Sequence, residues 1–208
     1  MTVVGTLIPP KIVAAEQGFS VHVKTAGSDA SFGLMLRNSS PNADAVGVYV
    51  LVNFGMADGQ AIGTKAETID VIPAGTTYAY GGSLSFAAAA PVARLEVVVK
   101  VGGRERRTIY QPLVQSIAIA SGRRDTTWVG EANGEIVNDH PPLNVSRTKL
   151  STVVFDAGGS IVGEGTGKAT TLLPPGTRQV FVITSGVEAF PWARAARAAV
   201  STFAIYTP

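Results

Sequence analysis

VGVYVLVNF, residues 46–54, is the stretch that most clearly indicates the fold class of the chain. Its apolar side chains alternate between opposite directions, as expected of a strand that lies in a sandwich. ADGQ follows at residues 57–60 and contains an Asp-Gly pair. A tight hairpin needs such a pair, because Gly adopts a positive φ without a steric penalty. The stretch therefore predicts a strand, a hairpin turn and a second strand.

The same pattern occurs again about 100 positions later in the chain. Phe155 is set against Phe54, and AGGS at 157–160 takes the place of ADGQ. IPAGT at 72–76 and LPPGT at 173–177 each predict a type II turn, with a Pro that presets φ and a Gly at positive φ. Flanking landmarks keep the same order, with GLMLRNSSP at 33–41 facing NGEIVNDHPP at 133–142 and ARLEVVVKV at 93–101 facing ARAAVSTFAI at 196–205. The chain is therefore expected to contain one structural unit twice.

We predict an all-β chain of two tandem immunoglobulin-like antiparallel β-sandwich domains, residues 9–108 and 109–208. A unit of this size with six or seven short strands matches an immunoglobulin-like sandwich. The Cys pair of true immunoglobulin domains is absent, because the chain has no Cys. The predicted boundary falls in GGRERRTIYQP at 102–112. A connection this short restricts the angle between the domains.

Composition excludes several classes of protein. The chain of 208 residues is 46% hydrophobic and 15% charged, which is enough apolar material to fill a core. A formal net charge of +2 supplies no field for nucleic-acid or membrane binding, and the absence of Cys excludes disulfides and thiolate metal sites. The longest uncharged stretch, residues 71–93, is interrupted by Gly, Pro, Ser and Thr. We therefore expect no transmembrane segment, and the N-terminus lacks the pattern of a signal peptide.

The second half resembles the FxLYD domain family, which consists of small bacterial immunoglobulin-like modules. WVGEANGEIVN at 128–138, Phe155 with Asp156, GSIVGEGTG at 159–167 and LLPPGTRQVF at 172–181 follow that family's pattern in order. The first half resembles it less, since Gly55 follows Phe54 where the family has Asp. The resemblance implies an immunoglobulin-like fold and an accessory role in exported or envelope-associated proteins. It carries over no catalytic residue and suggests an envelope or extracellular location.

No motif for catalysis or metal binding is recognisable in the sequence. His22 and His140 stand alone, and the patterns of serine hydrolases, zinc proteases and phosphate-binding loops are missing. GEGTG at 163–167 superficially resembles a nucleotide-binding glycine loop, but no helix pattern follows it. We interpret it as part of an edge strand in which Gly permits a bulge or a close neighbour. The sequence therefore predicts a protein that is not an enzyme and needs neither a cofactor nor a metal.

Basic residues are concentrated around the predicted domain boundary. The six that make up this basic junction are Lys100, Arg104, Arg106, Arg107, Arg123 and Arg124. They are a candidate site for an acidic partner or a polyanion. The competing interpretation is that they are solvated residues that pair with Glu105 and Asp125. Aromatic residues for stacking bases are sparse nearby, so nucleic acid is not an expected partner.

Two classes of function stay open. The first is a non-enzymatic structural or protein-interaction protein, in which two sandwich modules present loops or sheet edges to a protein partner or to another copy of the chain. Homo-oligomerisation is its simplest form, and both an envelope protein and a component of a self-assembling particle fit. The alternative is a binding module for carbohydrate or another polyanion that uses the basic junction. A hydrolytic enzyme is disfavoured, because no nucleophile with an adjacent base is recognisable.

Overall fold

The computed structural model describes residues 8–87, 91–105, 111–124, 127–140, 142–169, 172–184 and 194–207. These residues form twelve β-strands and no α-helix, which confirms the predicted all-β class. The strands are β1 Ile12–Lys24, β2 Gly27–Asn38, β3 Asp44–Gly55, β4 Ala61–Ile72, β5 Thr77–Phe86, β6 Arg94–Glu105, β7 Leu113–Arg124, β8 Thr127–Val137, β9 Asn144–Asp156, β10 Ile161–Ala169, β11 Arg178–Thr184 and β12 Ala195–Thr207.

The strands form four antiparallel sheets of three strands each. We number them in the order in which they stack: sheet 1 is β4-β3-β6, sheet 2 is β1-β2-β5, sheet 3 is β10-β9-β12 and sheet 4 is β11-β8-β7. The connectivity of β1 to β6 recurs in β7 to β12. Sheet 3 therefore has the topology of sheet 1, and sheet 4 has the topology of sheet 2.

Both predicted hairpin turns are confirmed. Residues 46–54 lie within β3, and the turn after it is closed by a bond of 2.9 Å from the Met56 amide to the Gln60 carbonyl. The Asp156 amide bonds to Ser160 in the same way, also at 2.9 Å. Strand pairing aligns the two halves one position away from the sequence alignment. Gly55 pairs with Ala61 in the first hairpin, and Phe155 pairs with Ile161 at the same place in the second. Phe155 therefore corresponds to Gly55 and not to Phe54.

The two predicted type II turns are also present. The Thr76 amide donates to the Pro73 carbonyl at 3.3 Å, and the Thr177 amide donates to the Pro174 carbonyl at 3.1 Å. The third residue of each turn is a Gly with a positive φ, +70° in the first turn and +74° in the second. Only Gly takes this conformation without strain, so the turn chemistry explains its presence there.

Two hydrophobic cores lie between pairs of sheets. Sheets 1 and 2 enclose Phe32, Phe54 and buried aliphatic residues of β2 and β3, and the rings of Phe32 and Phe54 meet edge to face at 5.8 Å. Sheets 3 and 4 enclose a smaller core around Ile136, Phe181 and Ile183. Alternating side chains of these strands point away from the cores, as the pleat requires.

A third packed layer joins sheet 2 to sheet 3. Val153, Phe155 and Ile161 of sheet 3 are buried there against Ala79 and Met35 of sheet 2. The four sheets therefore form one stack, in which sheets 2 and 3 are covered on both faces. The boundary proposed between residues 108 and 109 lies outside the described residues.

Candidate functional site

Small residues of sheet 2 allow sheet 3 to approach closely. A Cβ on Gly33 would lie 2.7 Å from Cγ1 of Val153, and a Cβ on Gly81 would lie 2.7 Å from the carbonyl oxygen of Thr152. Both distances are well below van der Waals contact. The bulky residues of sheet 3 therefore fill space that only Gly leaves free.

Serine hydroxyls connect the two sheets through backbone groups of edge strands. β5 and β10 lie at the edges of their sheets, so one side of each has backbone groups without a strand partner. The bonds across the interface are Gly81 N to Ser151 Oγ (3.1 Å), Ala79 N to Ser201 Oγ (2.7 Å), Glu164 N to Ser31 Oγ (3.1 Å) and Ser20 Oγ to Val162 O (2.7 Å). These bonds satisfy backbone groups that would otherwise be buried without partners.

A cleft of about 740 Å³ opens beside this interface. It lies where β4 and β5 meet β9 and β10, and charged and aromatic side chains line it. The chief ones are Lys65, Glu67, Tyr80, Lys149, Glu164 and Phe203. The Tyr80 hydroxyl donates a hydrogen bond of 3.1 Å to Glu67, and the Lys65 ammonium donates one of 3.2 Å to the Ser83 carbonyl.

Glu164 is the buried carboxyl of this cleft, with only 3% of its surface exposed. Burial disfavours its charged form and raises its pKa to about 7, and the negative charge of Glu67 adds to the effect. Lys65 and a hydrogen bond with Ser83 oppose the rise without cancelling it. Burial likewise raises the pKa of Tyr80 well above its ordinary value. Glu164 can therefore hold a proton near neutral pH.

Glu164 should make the stability of the fold depend on pH. The folded state holds the proton with a pKa of about 7, whereas the ordinary value is 4.5. This contribution is complete below pH 4.5 and is lost as pH rises towards 7, by about 1 kcal/mol for each pH unit. Glu164→Gln resembles the protonated form and should remove this dependence of stability on pH. It is measured as the difference in free energy of unfolding in urea between the variant and the unmodified chain, in which the contributions of all other titrating groups cancel. Parallel curves for the two proteins across this range would contradict the assignment.

The described cleft residues include neither His nor Cys. Within residues 8–207, apart from the undescribed gaps, no group of three or more His, Asp or Glu side chains could hold a metal ion. The cleft presents a carboxyl that can hold a proton beside the Lys65 ammonium and the Tyr80 hydroxyl, so it is suited to binding a polar group.

The structure describes two of the six side chains of the predicted basic junction. Lys100 and Arg104 are exposed on β6, where Lys100 pairs with Tyr49 and Arg104 pairs with Ala45. Arg123 and Arg124 are the last two residues of β7, and the structure does not describe their side chains. Arg106 and Arg107 lie outside the described residues. The basic junction stays a prediction.

Sequence reasoning missed Glu164 and the cleft around it. GEGTG does lie in edge strand β10, as predicted, with a bulge between Ile161 and Gly163 and with Gly165 close to Ile183. In the sequence Glu164 stands between two glycines, a pattern that does not by itself indicate burial.

Sheets 1 and 4, at the two ends of the stack, each expose apolar residues on their outer face. On sheet 1 these are Tyr49, 38% exposed, and Val98, 42% exposed, beside half-buried Leu51. On sheet 4 they are Val180 and Val182, which are 65% and 53% exposed. Neighbouring exposed apolar residues are a feature of interaction surfaces.

Comparison with known proteins adds no relative to these observations. No protein-family model matches the chain, and no curated protein matches it in sequence. The resemblance to the FxLYD family stays a prediction. The described segments contain no helix that is long and apolar enough to cross a membrane.

Proposed function

We propose that this chain is a non-enzymatic structural protein, built from two immunoglobulin-like β-sandwich modules, that associates with copies of itself. The observation that carries the proposal is that the outer faces of sheets 1 and 4 each expose neighbouring apolar residues. Sheet 1 has the topology of sheet 3, and sheet 4 has that of sheet 2. The corresponding faces of sheets 2 and 3 are buried against each other inside the stack, whereas those of sheets 1 and 4 are exposed.

The faces are better suited to this role than the edge strands β5 and β10 of the central sheets. Free edges recruit foreign strands when their backbone groups lack partners. In β5 and β10, serine hydroxyls of the opposite sheet already bond to those groups. Association through sheet faces leaves this arrangement intact.

Light scattering at several protein concentrations and two salt levels tests the proposal. We expect the mass to rise above the 21.5 kDa of one chain with increasing concentration, and to persist at high salt. Contacts between apolar faces are not screened by salt, whereas binding through the basic junction would weaken. A mass that stays at 21.5 kDa under all conditions would contradict self-association.

Val180→Asp should weaken the association about tenfold or more, because a buried Val contributes roughly 1.5–3 kcal/mol and a buried carboxylate is unfavourable. Val23→Asp is the matched control, since Val23 is 63% exposed on β1 of sheet 2 and lies on neither outer face. The control should associate as the unmodified chain does.

A further inference from the structure

We propose that copies of this chain stack head to tail, with the outer face of sheet 1 of one copy on the outer face of sheet 4 of the next. This inference rests on the proposed self-association and specifies its geometry. Inside one chain, sheet 3 packs on sheet 2. Sheet 1 has the topology of sheet 3, and sheet 4 has that of sheet 2. The proposed contact between copies therefore repeats the contact within the chain.

Side-chain bonds support this correspondence between the halves. The amide of Asn38 donates to the carbonyls of Ala43 and Ile72, both at 3.0 Å. The amide of Asn138 donates to Leu143 at 2.8 Å and to Leu173 at 2.9 Å. Asn38 is the last residue of β2, and Asn138 directly follows the last residue of β8, the equivalent strand. The two halves therefore share individual side-chain hydrogen bonds as well as their topology.

Strand register identifies which residues meet in the stack. Val98 pairs with Leu51 in sheet 1, and Ser201 pairs with Ser151 at the equivalent place in sheet 3. Val98 therefore corresponds to Ser201. Val180 pairs with Glu135 in sheet 4, and Ala79 pairs with Met35 at the equivalent place in sheet 2. Val180 therefore corresponds to Ala79. Within the chain, Ser201 Oγ lies 2.7 Å from the Ala79 amide nitrogen. Val98 of one copy should therefore contact Val180 of the next.

Side-chain size is distributed in opposite ways across the two interfaces. Within the chain, sheet 3 supplies the bulk, with Val153, Phe155 and Ile161, and sheet 2 supplies glycines. The corresponding positions of sheet 1 are small or short, namely Asn53, Gly55 and Ala61. The positions of sheet 4 that correspond to Gly18, Gly33 and Gly81 are larger, namely Ala118, Asn133 and Val182. At these positions the larger side chains lie on sheet 4, whereas Val98 and Val180 are both larger than the Ser201 and Ala79 that they replace.

Charged side chains accompany the exposed valines on both faces. On sheet 1, Arg94 pairs with Glu96 at 3.2 Å, and Lys100 is a further cation on β6. On sheet 4, Arg178 pairs with Glu135 at 3.6 Å, and Glu131 is a further carboxylate on β8. Each face therefore combines apolar residues with an ion pair of its own.

A head-to-tail contact of this kind is not self-limiting. Because the two faces differ, each added copy presents a new free face, and growth ends only where a ring closes. The expected assembly is therefore an open series of stacked chains or a closed ring, and not a symmetric dimer.

Two variants that block opposite faces test the proposal. Val98→Asp blocks sheet 1, and Val180→Asp blocks sheet 4, so each variant alone should be monomeric in light scattering. An equimolar mixture should give a complex of about twice 21.5 kDa and no larger species, because each partner supplies one intact face. A dimer formed by either variant alone would show symmetric pairing and overturn the head-to-tail arrangement, although self-association itself would stand.

Cysteine cross-linking supplies a second test, which the absence of Cys from the chain makes clean. Under oxidation, Val98→Cys combined with Val180→Cys should give a ladder of covalent oligomers, since a disulfide requires Cβ atoms about 4 Å apart. Neither single substitution should form a ladder. Val23→Cys combined with Val180→Cys is the matched control and should give about a tenth of the product or less. Oligomers that persist in light scattering without a ladder would overturn the stacking through these faces.

Discussion

Gly81→Ala is expected to lower the free energy of unfolding by about 2–3 kcal/mol, the upper part of the range for a group forced into a packed interior. The added Cβ would lie 2.3 Å from Cβ of Glu164 and 2.7 Å from the carbonyl oxygen of Thr152. The second contact is with backbone of β9, the central strand of sheet 3. That strand cannot shift without disturbing both of its neighbours, so sheets 2 and 3 must separate locally. The Gly81 amide would then also lose its bond to Ser151.

Guanidinium unfolding of the variant and of a matched control measures this effect. Gly103→Ala is the control, because a Cβ at Gly103 meets no heavy atom within 4 Å. Gly103 also has no positive φ, so its substitution should change stability by roughly 0.5 kcal/mol or less. Equal effects of the two substitutions would show that the close approach of sheets 2 and 3 is unimportant for stability.

The strands and turns were predictable from sequence because local chemistry determines them. Alternating Val and Leu in residues 46–54 require a pleated strand with side chains on both faces. Gly59 and Gly159, with φ of +99° and +85°, stand where a hairpin needs a positive φ. These features depend on residues within a few positions of each other, so they can be recognised without any knowledge of the rest of the chain.

The contact between sheets 2 and 3 was not predictable in the same way. Gly33 and Gly81 read as weak points of strands, and only the structure shows that Val153 and Glu164 fill the space beside them. Ser151 and Ser201 read as ordinary polar residues of strands, yet they bond to the backbone of β5. Such pairs are at least 70 positions apart in sequence, and nothing local indicates which residues will face each other.

The cleft around Glu164 escaped prediction for the same reason. Lys65 and Glu67 come from β4, and Glu164 comes from β10, so their proximity arises only from the stacking of sheets. The basic junction is a cluster in the sequence, and the two of its side chains that the structure describes, Lys100 and Arg104, are exposed on one strand. It stays a prediction, because its other four side chains lie outside what the structure describes.

Asn38→Ala and Asn138→Ala are expected to destabilise the fold as strongly as any substitution of a single side chain. Asn38 is fully buried, its amide bonds to two carbonyls at 3.0 Å, and its carbonyl accepts the Ser40 amide at 3.0 Å. Alanine would leave three backbone groups without partners, at about 1 kcal/mol or more each, so we expect a loss of about 3 kcal/mol. Asn138 has the same arrangement, in which His140 donates the third bond at 3.1 Å.

Thermal and guanidinium unfolding of both variants would measure these losses, with Asn53→Ala as the control. The Asn53 side chain is half-buried on the outer face of sheet 1 and accepts a single bond of 2.9 Å, from Thr64. Its removal should change stability by roughly 1 kcal/mol or less, because water replaces the lost partner. Asn38→Asp should be at least as harmful as Asn38→Ala, since a carboxylate would then face two carbonyl oxygens. If all three alanine variants lost similar stability, the two buried amides would not anchor the ends of β2 and β8, and the correspondence between the two halves would lose its strongest physical support.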